Sequence, residues 1–139
     1  MTNLLIRLIQ ERIGVVTSEF NVMDLTPEPI RKLKGVKGET TLLYGRLKQK
    51  QGIYFVLQNE GVDSVVYIGR TGDGDKENGL ADRLWGHLES NSSVRQKLQS
   101  ENINLDDCFV VTLEIADRVR RIQLEHLAIG IFAPRANVG

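Results

Sequence analysis

A chain of 139 residues suits one domain with an appendage and is too short for two full domains. Its 41% apolar and 26% charged side chains match an ordinary globular protein with a real core. One cysteine, Cys108, excludes an internal disulfide and suits a reducing cytoplasm; with only two histidines, a zinc finger or knuckle is excluded too.

The formal net charge is zero, but the charge is unevenly spread. Residues 1–51 carry nine basic and five acidic side chains, net +4, and residues 52–139 carry nine and thirteen, net −4. Arg31, Lys32, Lys34, Lys37, Arg46, Lys48 and Lys50 fall in one stretch whose single acid is Glu39. That stretch reads either as a phosphate-attracting surface or as a solvated lysine-rich face.

Along the chain, Leu4, Leu5, Leu8, Ile9 and Ile13 have helical spacing. Residues 4–9 are interrupted by Arg7 and too short for a signal segment. No apolar stretch approaches the ~20 residues that span a bilayer. Thr26-Pro27-Glu28 predicts an N-cap, a first-turn proline and an acid suited to the helix dipole. The helix it opens would present Ile30 and Leu33 and stop near Gly35. Residues 36–51, with Thr40 to Tyr44, read as an extra strand or an extended lead-in.

From residue 52 the pattern sharpens. Gly52–Leu57 and Val65–Gly69 predict an antiparallel hairpin with a longer loop over Gln58–Ser64. Residues 71–79 form a glycine-rich acidic loop. Its similarity to a calcium loop fails, because the glycine is one position late and the twelfth residue is Leu84. Leu80, Leu84 and Leu88 mark a helix, and Ser92 or Ser93 caps a second through Ser100. Cys108–Ile115 is a third strand, and residues 116–131 a helix with Val119, Ile122, Leu124, Leu127 and Ile131 for burial. The order β-β-α-α-β-α makes an α+β domain over 52–139, preceded by a basic, mainly helical extension over 1–51.

Several side chains in this pattern suit chemistry on a phosphate. Arg83 and His87 are four apart on one helix, so they share a face at the border of its apolar stripe. A guanidinium there can grip a phosphate by two hydrogen bonds and offset charge developing at phosphorus. Tyr54 and Tyr67 are phenols with an ordinary pKa near ~10, so either acts as a base only beside something that stabilises phenolate. Strand tyrosines otherwise serve the core. His87 is the rival base, with a pKa better matched to neutral pH. Glu125 lies among Ile122, Leu124, Leu127 and Ala128 and needs a partner: a salt bridge to Arg118 or Arg121, or a metal ion. His126 points about 100° away on the same helix and is structural or exposed.

Taken in order, Gly52-Ile53-Tyr54, Tyr67-Ile68-Gly69, Arg83 with His87, Glu125, then Phe132-Ala133-Pro134 and Asn137 resemble the GIY-YIG nuclease family. The resemblance covers residues 52–137. It implies a small three-stranded antiparallel sheet flanked by helices and a metal-dependent endonuclease acting on DNA. Tyr54 would activate the attacking water, Tyr67 would position water or phosphate, and Arg83 and His87 would complete the site. Glu125 would hold one Mg²⁺ (or Mn²⁺) ion, and Asn137 would bond at the site or brace the tail over it. The single matched carboxylate argues against a two-metal centre. The length and the lack of a zinc module point to a stand-alone enzyme of restriction or phage type. Arg31, Lys32, Lys34, Lys37, Arg46, Lys48, Lys50 and Arg70 are the candidate DNA contacts. Residues 1–51 would supply DNA contacts or a dimer interface, and cutting both strands would take a homodimer or sequential nicking. The alternatives are a DNA-binding or interaction module with a vestigial site, and an α+β scaffold with Glu125 paired inside its own helix.

Overall fold

The computed structural model describes residues 27–35, 41–59, 64–72 and 79–137. The expected helix over 3–14, the Thr26 cap, Lys37 and the acidic loop at 73–78 lie outside the described residues.

The protein is α+β, built on a four-stranded antiparallel sheet with four helices among the described residues. The strands are β1 (Glu28–Pro29), β2 (Gly52–Leu57), β3 (Val65–Arg70) and β4 (Phe109–Glu114), in the spatial order β1-β4-β2-β3. The helices are α1 (Leu42–Leu47), α2 (Gly79–His87), α3 (Ser93–Ser100) and α4 (Arg118–Phe132).

The sheet thus has one strand more than the three expected. Glu28 and Pro29 pair with Val110 and Phe109, and the Ile30 amide donates to the Cys108 carbonyl at 3.0 Å. Proline lacks an N–H, which confines it to the sheet's edge, and that is where β1 lies. The helix expected here is reduced to a 3₁₀ turn over Ile30–Leu33. Its two apolar side chains are fully buried all the same.

A second difference falls at residues 41–47, where the Thr-rich segment enters a helix. The Thr41 side chain accepts from the Tyr44 amide at 3.3 Å, and its hydroxyl donates to the Lys32 and Leu33 carbonyls. The threonine is a cap rather than a strand residue. Leu43 and Leu47, one helical turn apart, then reach the core together.

The core has two halves, one on each face of the sheet. Tyr54, Val56, Val66 and Val110 pack with Leu43, Leu47, Leu80, Leu84, Val94 and Leu98 from α1, α2 and α3. Ile53, Phe55, Leu57, Ile68, Val111 and Leu113 pack on the other face with Leu124 and Ala128 of α4. Every residue of β2 is buried, because β2 is flanked by strands on both edges and covered on both faces. Residues 28–47 share the first half of this core with residues 54–110.

The hairpin carries a bulge. Val56 pairs with Tyr67 and Leu57 with Val65, which leaves Val66 as the extra residue. The bulge puts Val66 and Tyr67 together on the α2 side, whereas Ile68 returns to the α4 side.

Candidate active site

Tyr54 and Tyr67 stand on neighbouring strands and face α2. Their rings are 6.1 Å apart, centroid to centroid, and His87 lies 5.5 Å from the first and 5.6 Å from the second. His87 Nε2 is 2.5 Å from the Tyr54 hydroxyl. Tyr54 is fully buried, Tyr67 is partly buried, and His87 ends α2 at the rim.

Two glycines make this packing possible. Gly69 pairs with Tyr54 across the hairpin, and the tyrosine ring lies over it. A β-carbon at Gly69 would stand 2.3 Å from the phenol oxygen. One at Gly52 would stand 1.9 Å from the Leu113 carbonyl oxygen on β4. The glycines in the Gly-Ile-Tyr and Tyr-Ile-Gly segments are therefore there for close approach, one to a backbone and one to the phenol itself.

Burial and charge tune these groups. Desolvation raises the Tyr54 phenol well above its usual pKa. The Arg83 guanidinium opposes this by attraction and a hydrogen bond, while the charge of Glu125 pushes the phenol further up. Tyr67 is raised by burial, with Arg83 again pulling it down and Glu125 pushing it up. His87 falls to about 4, first because it is desolvated and second because Arg83 repels its protonated form. At neutral pH the cluster therefore holds two phenols and a neutral imidazole, and His87 Nε2 shares a hydrogen bond with the Tyr54 hydroxyl that the imidazole accepts in one tautomer and donates in the other.

Glu125 comes from the other face. α4 packs against β2 and β3 opposite α2, and Glu125 is at the rim of that packing with 14% of its side chain exposed. It takes a charged partner from β3: Arg70 Nε donates to Oε1 at 3.1 Å. Arg121, one of the two intrahelical partners considered from sequence, is 5% exposed and donates to the Ile115 and Ala116 carbonyls. His126 is 70% exposed, with Nε2 3.9 Å from the same Glu125 oxygen.

Asn137 binds the backbone of β3. Its Oδ1 accepts from the Ile68 amide and its Nδ2 donates to the Ile68 carbonyl, each at 2.8 Å. One side chain thus completes the ladder on the outer edge of β3, between Tyr67 and Gly69. Pro134 and Ala136 are buried beside it, and Lys97 of α3 donates to the Ala136 carbonyl at 3.2 Å.

The candidate DNA contacts separate into groups. Arg31, Lys32, Lys34 and Arg46 line a groove of about 700 Å³ with Glu28, Thr41 and Leu42. Glu28 lies 3.6 Å from Arg46 and 3.9 Å from Lys32. Lys34 also lies over the Trp85 ring at 4.8 Å and pairs with Glu89 at 3.1 Å. Lys48 is exposed, whereas Lys50 pairs with Glu114 at 3.2 Å.

Sequence reasoning missed the Arg70–Glu125 pair. Strand alternation held the signal, because Arg70 shares the face of Ile68, which packs toward α4. It also missed the bond from the Tyr44 hydroxyl to Asp82 at 2.7 Å, beside Arg83 on α2.

Among the described residues no group of three or more His, Cys, Asp or Glu side chains is arranged to hold a metal ion. A cation at this site would depend on Glu125 with water and phosphate oxygens. Mg²⁺ commonly binds through one or two carboxylates and substrate phosphates, and Glu125, with Arg70 on its Oε1, is the carboxylate of the candidate set that could hold it. No protein-family model, curated protein or solved structure matches the chain.

Proposed function

We propose that this protein is a metal-dependent DNA endonuclease of GIY-YIG type, a stand-alone phosphodiester hydrolase like those of restriction systems or phages. The observation that carries the reading is the Tyr54–His87–Tyr67 cluster with Arg83 bonded into it. A histidine and two tyrosines drawn from three elements, with a guanidinium beside them, are more than packing requires.

The chemistry is direct hydrolysis. A water oxygen attacks phosphorus, the bond from phosphorus to the 3′-oxygen breaks, and the products are a 5′-phosphate and a 3′-hydroxyl. Tyr54 takes the water's proton as its own passes to His87 Nε2, so the phenol never has to exist as a free buried phenolate. Arg83 neutralises the phosphate. Binding phosphate also lessens the repulsion that weakens His87 as a base. A cation held by Glu125, when bound, would stabilise the developing negative charge. The basic groove of Arg31, Lys32, Lys34 and Arg46 supplies a phosphate-attracting surface apart from the chemistry.

A DNA-binding module that does not cut is the second reading, and the Arg70–Glu125 ion pair favours it, because the carboxylate is already engaged. Supercoiled plasmid incubated with Mg²⁺ separates the two. Nicking or linearisation that is lost in EDTA and in Glu125→Ala supports the endonuclease. DNA binding without cutting, across Mg²⁺, Mn²⁺ and several DNA forms, supports the module and overturns the enzyme.

A further inference from the structure

The carboxylate best suited to a divalent cation is held by a cation of the protein's own. Arg70 ends β3 immediately after Gly69 and points to the α4 side, away from the two phenols. Its Nε donates to Glu125 Oε1 at 3.1 Å, with 31% of the Arg70 side chain exposed and 14% of Glu125. The guanidinium is thus the open half of the pair and the carboxylate the enclosed half. A metal ion at this carboxylate would stand beside the Arg70 guanidinium, and the two positive charges repel each other. A phosphodiester offers Arg70 an equivalent acceptor, of the same charge and with oxygens matched to a guanidinium.

We propose that Arg70 exchanges partners during the reaction cycle: without DNA it occupies Glu125, and with DNA it moves to a phosphodiester and opens Glu125 to the cation. The inference rests on the endonuclease reading above and deepens it. Arg70 becomes a phosphate ligand and a positioning residue for the metal site, on the opposite face of β3 from Arg83. Metal loading is then coupled to DNA binding, and by linkage the cation tightens DNA binding by the same factor. The free protein holds divalent cations weakly, and metal loading waits for the strand to be cut.

The test is Mn²⁺ binding, followed by the paramagnetic resonance of free Mn²⁺. The samples are the full chain, Arg70→Gln, Glu125→Gln and the double variant, each with and without a phosphorothioate DNA duplex that resists cleavage. The signal from Glu125→Gln with the duplex corrects for ions held by the DNA. Without DNA, Arg70→Gln is expected to bind Mn²⁺ about tenfold more tightly than the wild-type chain, and both Glu125→Gln proteins to lose the site. Adding the duplex supplies phosphate oxygens to the cation in both proteins and is expected to tighten wild-type binding about tenfold more than it tightens Arg70→Gln, which has no pair to release.

If Arg70→Gln binds Mn²⁺ no better than wild type while the wild-type chain cuts plasmid through Glu125, the exchange is wrong and the endonuclease stands. If no form binds Mn²⁺ or cuts, both fall. Should Arg70→Gln fail to fold, Arg70→Met takes its place, and no gain in Mn²⁺ affinity over wild type without DNA overturns the exchange.

Discussion

On the α2 side of the sheet the polar groups are inside the packing: a buried phenol bonded to an imidazole, with a second phenol packed against both rings. On the α4 side the packing is apolar apart from the buried Arg121, whose guanidinium donates to the Ile115 and Ala116 carbonyls, and Arg70 and Glu125 pair at its rim. The first arrangement holds neutral groups whose proton affinities burial has moved. The second holds a pair in which each partner meets the charge of the other. The proposed phosphoryl chemistry would draw on both sides, Tyr54 and His87 as proton carriers and Glu125 as a carboxylate. β3 separates them, and Gly69 lets the Tyr54 phenol lie against that strand.

The comparison can be broken at either side. Tyr54→Phe removes the hydroxyl and keeps the ring, so cleavage should fall ~10²–10⁴-fold if the phenol relays the proton. Single-turnover rates on a short duplex measure this, and an unchanged rate would remove Tyr54 from the chemistry. Gly69→Ala attacks the same contact sterically. With a β-carbon 2.3 Å from the phenol oxygen, the strand or the ring must move, at a cost of roughly 1–3 kcal/mol in urea unfolding. Wild-type stability in the alanine variant would show that the tyrosine ring is not confined there.

His87 sharpens the comparison through pH. Its folded pKa of about 4 lies below its unfolded value of 6.5, so the unfolded chain binds the extra proton in that interval. The stability tied to neutral His87 is intact above 6.5 and declines as pH falls toward 4, by on the order of 2 kcal/mol after allowance for its partial exposure. His87→Gln should flatten this part of the stability profile. Equal slopes in wild type and His87→Gln would mean the ring is solvated when folded.

The smallest expected effect is at the edge strand. Asn137→Ala loses two bonds to Ile68, each worth ~0.5–1.5 kcal/mol net, and leaves solvent to satisfy an exposed edge. Hydrogen exchange at the Ile68 amide should speed up before global stability changes much. Unaltered protection there would mean the tail is held by Pro134 and Ala136 instead.

Much of the fold was readable in the sequence because its signals are local. The β2–β3 hairpin, α2, the Ser92-capped α3 and α4 follow from runs of β-branched residues, leucine spacing and caps, and they stand within a few residues of expectation. The extension was harder to read. Pro27 and Pro29 suit a helix start and an edge strand equally well by local rules, and only the free edge of β4 selects the strand. Thr41 serves as a cap because the Lys32 and Leu33 carbonyls are there to receive its hydroxyl.

The sequence by itself determined that Arg83 and His87 share a helix face, since four-residue spacing fixes that without any neighbour. It also placed the two tyrosines on paired strands. Tertiary structure decided how they meet: the bulge at Val66 turns Tyr67 toward Tyr54, and Gly69 leaves room for the phenol. It also chose Arg70 as a partner for Glu125, fifty-five residues away in the chain. Contacts of that kind depend on which strand lies at an edge and which helix covers which face. Those are properties of the closed sheet, and no local window of residues contains them.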